Sequence, residues 1–128
     1  MSDPEDVAER ETQLLLESAK QLRGALLKSE LTYRRTLRGL RQRKGVTATI
    51  KANQAEVARQ DLTEALKEFE HQRHRTRVSI ISAQLAQGDS IADVGRSWGF
   101  SRQLASKYAQ EAAAGSDPAG YGSPSPAT

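Results

Sequence analysis

Cysteine is absent from this chain of 128 residues, which excludes a disulfide framework and any thiolate metal site. Proline is missing between Pro4 and Pro118, so nothing in that span forbids long helices. Aromatic residues make up only 5% and hydrophobic residues 37% of the chain, too little apolar surface for one large core, and an extended shape is expected rather than a globule. No apolar run approaches the roughly 20 residues of a membrane span. The opening MSDPEDVAERE is acidic, unlike the cationic and apolar start of a signal peptide, so a cytoplasmic protein with no membrane partner is expected. A phosphate-cradling glycine loop, a nucleophile elbow and a strand-end carboxylate are also lacking, which argues against an enzyme and against a small-molecule ligand or cofactor. His71 and His74, three apart, can share a helix face, but no third ligand is evident beyond Glu68 or Glu70, and no metal is expected.

Acidic residues are scarce in the middle of the chain. Residues 1–30 carry 7 acids against 4 bases, whereas residues 31–60 carry one acid, Glu56, against 8 bases. The modest net charge of +3 therefore hides a cationic block, YRRTLRGLRQRK, in which Arg34, Arg35, Arg38, Arg41, Arg43 and Lys44 crowd one helix end. The planar, permanently charged guanidinium suits phosphate. Solvated cations near a helix C-terminus are the plainer alternative, equally weighted.

Helical periodicity dominates the first half. From Val7 to about Lys44, Leu15, Ala19, Leu22, Leu26, Ser29, Tyr33, Leu37 and Leu40 recur at three or four residues, a narrow apolar seam along a helix of roughly 55 Å. The Lys44–Val46 step is the strong break. A second helical pattern then runs through Val46, Ile50, Val57, Leu62, Leu66 and Phe69, and the two segments are expected to close as an antiparallel hairpin or coiled coil. Leu14, Leu16, Leu27 and Leu31 widen the stripe beyond what a two-helix contact covers. A homodimer is therefore expected, with Leu15, Leu22, Leu26, Tyr33 and Leu37 at its interface.

Between Arg75 and Ala114 three short helices are marked out by two glycine turns. Val78, Ile81 and Leu85, flanked by Ile80 and Ala86, form a stripe ending at Gly88, a fitting residue for the left-handed position after a helix. Asp89 or Ser90 can cap the next helix, whose apolar face is Ile91, Val94 and Trp98, and Gly95 permits close approach of a neighbour. Gly99 supplies the sharp turn, Phe100 an apolar plug, and Ser101 a cap for the last helix. The exposed face of that helix offers Arg102, Gln103, Ser106, Lys107 and Gln110, all hydrogen-bonding groups suited to bases and phosphates.

The run Gly95, Arg96, Ser97, Trp98, Gly99, Phe100, Ser101 resembles the helix-turn-helix superfamily of bacterial regulators and of recombinase and transposase DNA-binding tails. The pattern is small residue, two polar residues, apolar, glycine, apolar, serine. The usual alanine of the small position is glycine here, and the buried positions of the recognition helix map onto Ala105 and Tyr108, the first of which is more often a branched aliphatic. The resemblance covers about a third of the chain. It implies a core of Ile91, Val94, Trp98, Phe100, Ala105 and Tyr108, and double-stranded DNA as partner. Base reading would fall to Ser101, Arg102, Gln103, Ser106 and Lys107 in the major groove. Phosphate contacts would come from the Arg34 to Lys44 block together with Arg73, Arg75, Arg77 and Arg96.

The expected organisation is all-α: a flexible N-terminus over residues 1–6, a long helical hairpin over 7–74, a trihelical helix-turn-helix unit over 75–114, and a disordered tail over 115–128. The stretch His71 to Arg77 joins hairpin and trihelical unit as continuous helix or as a hinge. A sequence-specific DNA-binding regulator or accessory factor, located on the nucleoid when bound, is the leading expectation. A helical adaptor that binds only protein is the alternative.

Overall fold

A computed structural model describes residues 3–114, and the expected disordered tail lies outside them. The described residues form five helices and no strand, so the protein is all-α. Among the described residues no helix is long and apolar enough to cross a membrane. The chain divides into two compact units, one comprising Met1–Leu15 and His71–Thr128, the other Leu16–Glu70.

Helix α1, Pro4–Arg41, begins earlier than expected, so Pro4, Glu5 and Asp6 are helical rather than part of a flexible end. The cause is local: proline is pre-shaped for the first helical position, and two acids in the first turn oppose the partial positive charge of the helix N-terminus. At the other end Arg43 N donates to Leu40 O at 3.1 Å and Lys44 N to Gly39 O at 3.2 Å. This closure requires a left-handed residue, and Arg43 takes that role at φ 55°, followed by Gly45 at φ 100°. The break falls where the sequence places it, but an arginine occupies the position where glycine is usual.

The single helical pattern expected after the break is in fact two helices, α2 (Val46–Ala52) and α3 (Ala55–Ala86). Between them Asn53 Nδ2 donates to Thr49 O at 2.9 Å, and Gln54 turns left-handed at φ 50°. Neither glycine nor proline marks this point. Helix α3 is continuous through His71 to Arg77, so that stretch is helical.

The buried positions of α1 also differ from the expected leucine seam. Ala8, Leu15, Leu22, Ser29 and Thr36, spaced by sevens, are buried or half-buried, as are Glu11, Ser18, Ala25, Thr32 and Gly39 on a second seven-residue series. Leu26, Tyr33, Leu37 and Leu40 lie outside this seam, with Leu26 and Tyr33 50% and 61% exposed. A strict seven-residue repeat keeps one face turned inward along a long helix, and small side chains there allow close approach. Of the residues expected at a dimer interface, Leu15 and Leu22 are thus half-buried within the chain, while Leu26, Tyr33 and Leu37 are exposed.

In the Leu16–Glu70 unit, α2 is seated on α1 by one close contact. Thr49 is buried, and a Cβ added at Gly39 would lie 2.6 Å from Thr49 Cγ2. Only glycine leaves room for it.

In the other unit, the end of α3 packs with α4 (Ile91–Trp98) and α5 (Arg102–Ala114) around Val78, Ile81, Val94, Tyr108 and Ala112, with Leu85, Trp98 and Phe100 against this core. The N-terminal turns of α1 join the same unit through Glu11, which is buried. Its backbone carbonyl accepts from Thr76 Oγ1 at 2.8 Å and Gln72 Nε2 at 3.1 Å, and its Oε1 accepts from Arg75 Nε at 2.9 Å.

Candidate nucleic-acid interface

Two glycine turns set the geometry of α4 and α5. After α3, Gly88 is left-handed at φ 103°, and Asp89 N donates back to Gln84 O at 3.0 Å. Ser90 then caps α4 reciprocally: its Oγ accepts from Asp93 N at 3.1 Å, and its own N–H donates to Asp93 Oδ2 at 2.9 Å. These Ser90 bonds, backbone first, and then Arg96 hold the Asp93 carboxyl below the usual aspartate value. At the far end Gly99 takes φ 70° and Phe100 N donates to Gly95 O at 2.9 Å, which turns the chain into α5. Ser101 Oγ accepts from Leu104 N at 3.2 Å, the expected cap.

The crossing of α4 and α5 is close at Gly95, where an added Cβ would meet Ala105 Cβ and Phe100 O, both at 3.5 Å. That is ordinary contact, so glycine is permitted here rather than required. Val94 and Ala105 are almost completely buried, and Tyr108 is buried. Ile91 is the exception among the residues assigned to the core. It is 41% exposed, because it occupies the first turn of α4 and lines an open groove with Ala92 and Arg102.

Polar groups from α3 fix the orientation of both helices. Trp98 Nε1 donates to Gln84 Oε1 at 2.8 Å, and Gln84 Nε2 donates to Ser97 Oγ at 2.8 Å. Phe100 and Tyr108 stack at 5.3 Å, Trp98 and Phe100 at 5.6 Å. The Arg77 guanidinium lies over all three rings, its Cζ between 5.4 and 5.7 Å from their centroids, and donates to Tyr108 Oη at 3.1 Å. His74 Nε2 lies 2.8 Å from Glu111 Oε2, and its ring is 5.5 Å from that of Tyr108. The resemblance implies phosphate contacts for Arg75 and Arg77. The first faces buried Glu11 and the second the aromatic stack, and no periodicity in the chain announced either partner.

This scaffold leaves one face of α5 open. Arg102, Gln103 and Lys107 are exposed, Ser106 is half-buried, and with Gln110 they line a single shallow depression. From Arg102 to Gln110 there is no acidic residue. Ser101 differs from its neighbours, since its oxygen already caps the helix. Among the residues assigned to phosphate, Arg96 is exposed and bonds to Asp93, Arg73 is half-buried, and Arg34 is exposed and lies 3.4 Å from Glu30. Arg35, Arg38, Arg41, Arg43 and Lys44 are exposed in the Leu16–Glu70 unit. No group of three or more potential metal ligands occurs among the described residues.

No family model matches the chain, and neither a curated protein nor a solved structure matches it.

Proposed function

We propose that this protein binds double-stranded DNA through α5, as a sequence-specific regulator or accessory factor rather than an enzyme. The observation that carries this reading is the acid-free outer face of α5, with Arg102, Gln103, Ser106, Lys107 and Gln110 side by side on a helix oriented by buried contacts along its other face. Arginine and glutamine have forked groups that match guanine and adenine edges respectively, and both stand in the first turn of α5, where a helix end can enter the major groove. Arg96, which lines the groove beside Arg102, adds a phosphate contact. A homodimer would present two copies of α5 to two half-sites, and the exposed Leu26, Tyr33 and Leu37 supply apolar surface for it. Action on DNA in this way would place the protein in the cytoplasm, at the nucleoid.

The deciding experiment is titration of duplex DNA, first of random sequence at several salt concentrations and then of a target selected from a random pool. Arg102→Ala should weaken the selected target by about 1 to 3 kcal/mol while largely sparing random DNA. Equal losses on both would remove α5 from base reading. The exposed leucines of α1 also favour a second reading, a helical adaptor that binds protein alone. Absence of any salt-dependent duplex binding by the wild type would leave that reading in place.

A further inference from the structure

The corner where α2 meets α1 is organised around a groove that the α5 reading does not use. Gly39 forms its floor: with no Cβ it admits Thr49, whose hydroxyl donates to Gly45 O at 2.7 Å, and this contact seats α2 against the end of α1. Around the resulting concavity stand Arg35, Arg38, Gln42 and Lys44 from α1 and the turn after it, and Asn53 from the end of α2. The remaining wall consists of Ala48 and Ala52, and no large apolar side chain lines the groove.

Charge makes this groove unusual. Between Leu31 and Ala55 the chain holds seven cations and no acid. Like charges three or four apart on a helix repel one another, and the partial negative charge of a helix C-terminus compensates only cations in its last turn. Arg38 and Arg41 stand there, but Arg35 stands before it and Lys44 beyond it. Such a cluster is relieved by an external polyanion. An anionic membrane surface would call for bulky apolar groups among the groove's bases, whereas the groove wall offers alanines, and the exposed Leu37, Val46 and Ile50 lie outside its lining. Amide side chains and guanidinium forks match phosphodiester oxygens and carry no bias toward particular bases.

We infer that the α1–α2 corner is a second nucleic-acid site, one that holds the sugar–phosphate backbone independently of sequence and independently of α5. It provides retention on any duplex, and α5 provides discrimination.

The test uses the full chain and a fluorescent duplex of random sequence, titrated from low to moderate salt. An Arg35→Gln, Arg38→Gln, Lys44→Gln triple variant should bind about tenfold or more weakly and lose up to about three units of salt slope, about one per phosphate contact removed. An Arg102→Ala, Gln103→Ala variant should keep the corner's share of that slope. Gly39→Ala, with retained helicity checked by circular dichroism, changes no charge but forces Thr49 aside. It should weaken the random duplex about threefold or more if the cations act as a built groove. Unchanged affinity and slope in the triple variant would overturn the inference, as would unchanged affinity in a folded Gly39→Ala variant. Competition by inorganic pyrophosphate as effective as competition by duplex would overturn it in favour of a discrete anion site. Loss of binding to phosphatidylserine vesicles, with duplex binding intact, would overturn it in favour of a membrane. Failure of the α5 reading is separate: it shows as loss of selectivity in no α5 variant, and leaves the corner's slope untouched.

Discussion

Around α4 and α5 most large apolar side chains are inside, Ile91 and Leu104 excepted. Ile81, Val94 and Tyr108 are buried together, Trp98 and Phe100 pack against them, and the outer face is polar. In the Leu16–Glu70 unit the arrangement is reversed: Ser29, Gly39 and Thr49 are buried, while Leu26, Leu27, Leu31, Tyr33, Val46 and Val57 are exposed. The first region closes a core of its own and turns its polar residues outward. The second gains closeness from small residues and keeps much of its apolar surface exposed. Two helical regions of one chain thus follow the same periodicity rules and differ in which size of residue stands on the inward positions.

The largest expected effect tests that contrast directly. Ile81→Ala should cost about 2 to 5 kcal/mol, because the side chain is fully buried and its loss leaves a cavity. Leu27→Ala, at a site 60% exposed, should cost less than about 0.5 kcal/mol in the monomer. Urea denaturation of both variants at low micromolar concentration, with sedimentation mass measured alongside, checks this. A concentration-dependent loss for Leu27→Ala, with a wild-type mass of two chains, would mean that the exposed leucines are covered by a second copy.

A single substitution type made in both regions sharpens the comparison further. Gly39→Ala should destabilise by about 1 to 3 kcal/mol, since the new methyl would overlap Thr49. Gly95→Ala should stabilise by about 0.5 to 1 kcal/mol, because its methyl meets only ordinary contacts and alanine loses less backbone freedom than glycine in a helix interior. Thermal unfolding of the two variants should move in opposite directions. The same sign for both would erase the distinction between a glycine required by packing and one merely tolerated.

The smallest effect lies at the start of α4. Ser90→Ala should cost about 1 kcal/mol through loss of the cap. Asp93 adds a pH dependence of definite sign. Its folded carboxyl titrates below the ordinary aspartate value, so its stabilisation is complete above that value and is lost as pH falls through the lower, folded one. Acid unfolding followed by Trp98 fluorescence should therefore be shallower in Asp93→Asn than in wild type, with the stability gap between the two narrowing only below about pH 4. Parallel acid profiles would show that the capping carboxylate contributes nothing.

Much of the α4–α5 region was legible because its signals are local. A left-handed glycine, a serine cap or an apolar residue every three or four positions is recognised within one or two turns, and Gly88, Gly99, Ser90, Ser101, Val94 and Ala105 all occupy the places their sequence context indicates. The break after Ala52 was not legible, because Asn53 and Gln54 lack the glycine or proline that usually marks one, and the turn depends on a side-chain bond to Thr49. The Glu11 hub and the engagement of Arg75 and Arg77 were equally silent. Each joins residues more than twenty positions apart, and a charged side chain in a helical sequence reads as solvated until its partner arrives.

By itself, the sequence determined the helical class, the glycine turns and caps around α4, and the acid-free cationic stretch from Leu31 to Ala55, because propensity, capping and charge are properties of neighbouring residues. Only the tertiary structure decided which face of α1 turns inward, that Gly39 must remain a glycine, and which arginines are engaged within the protein. Those outcomes depend on how closely two backbones approach and on what a distant segment places opposite each side chain, and neither is encoded in the spacing of residues along one helix.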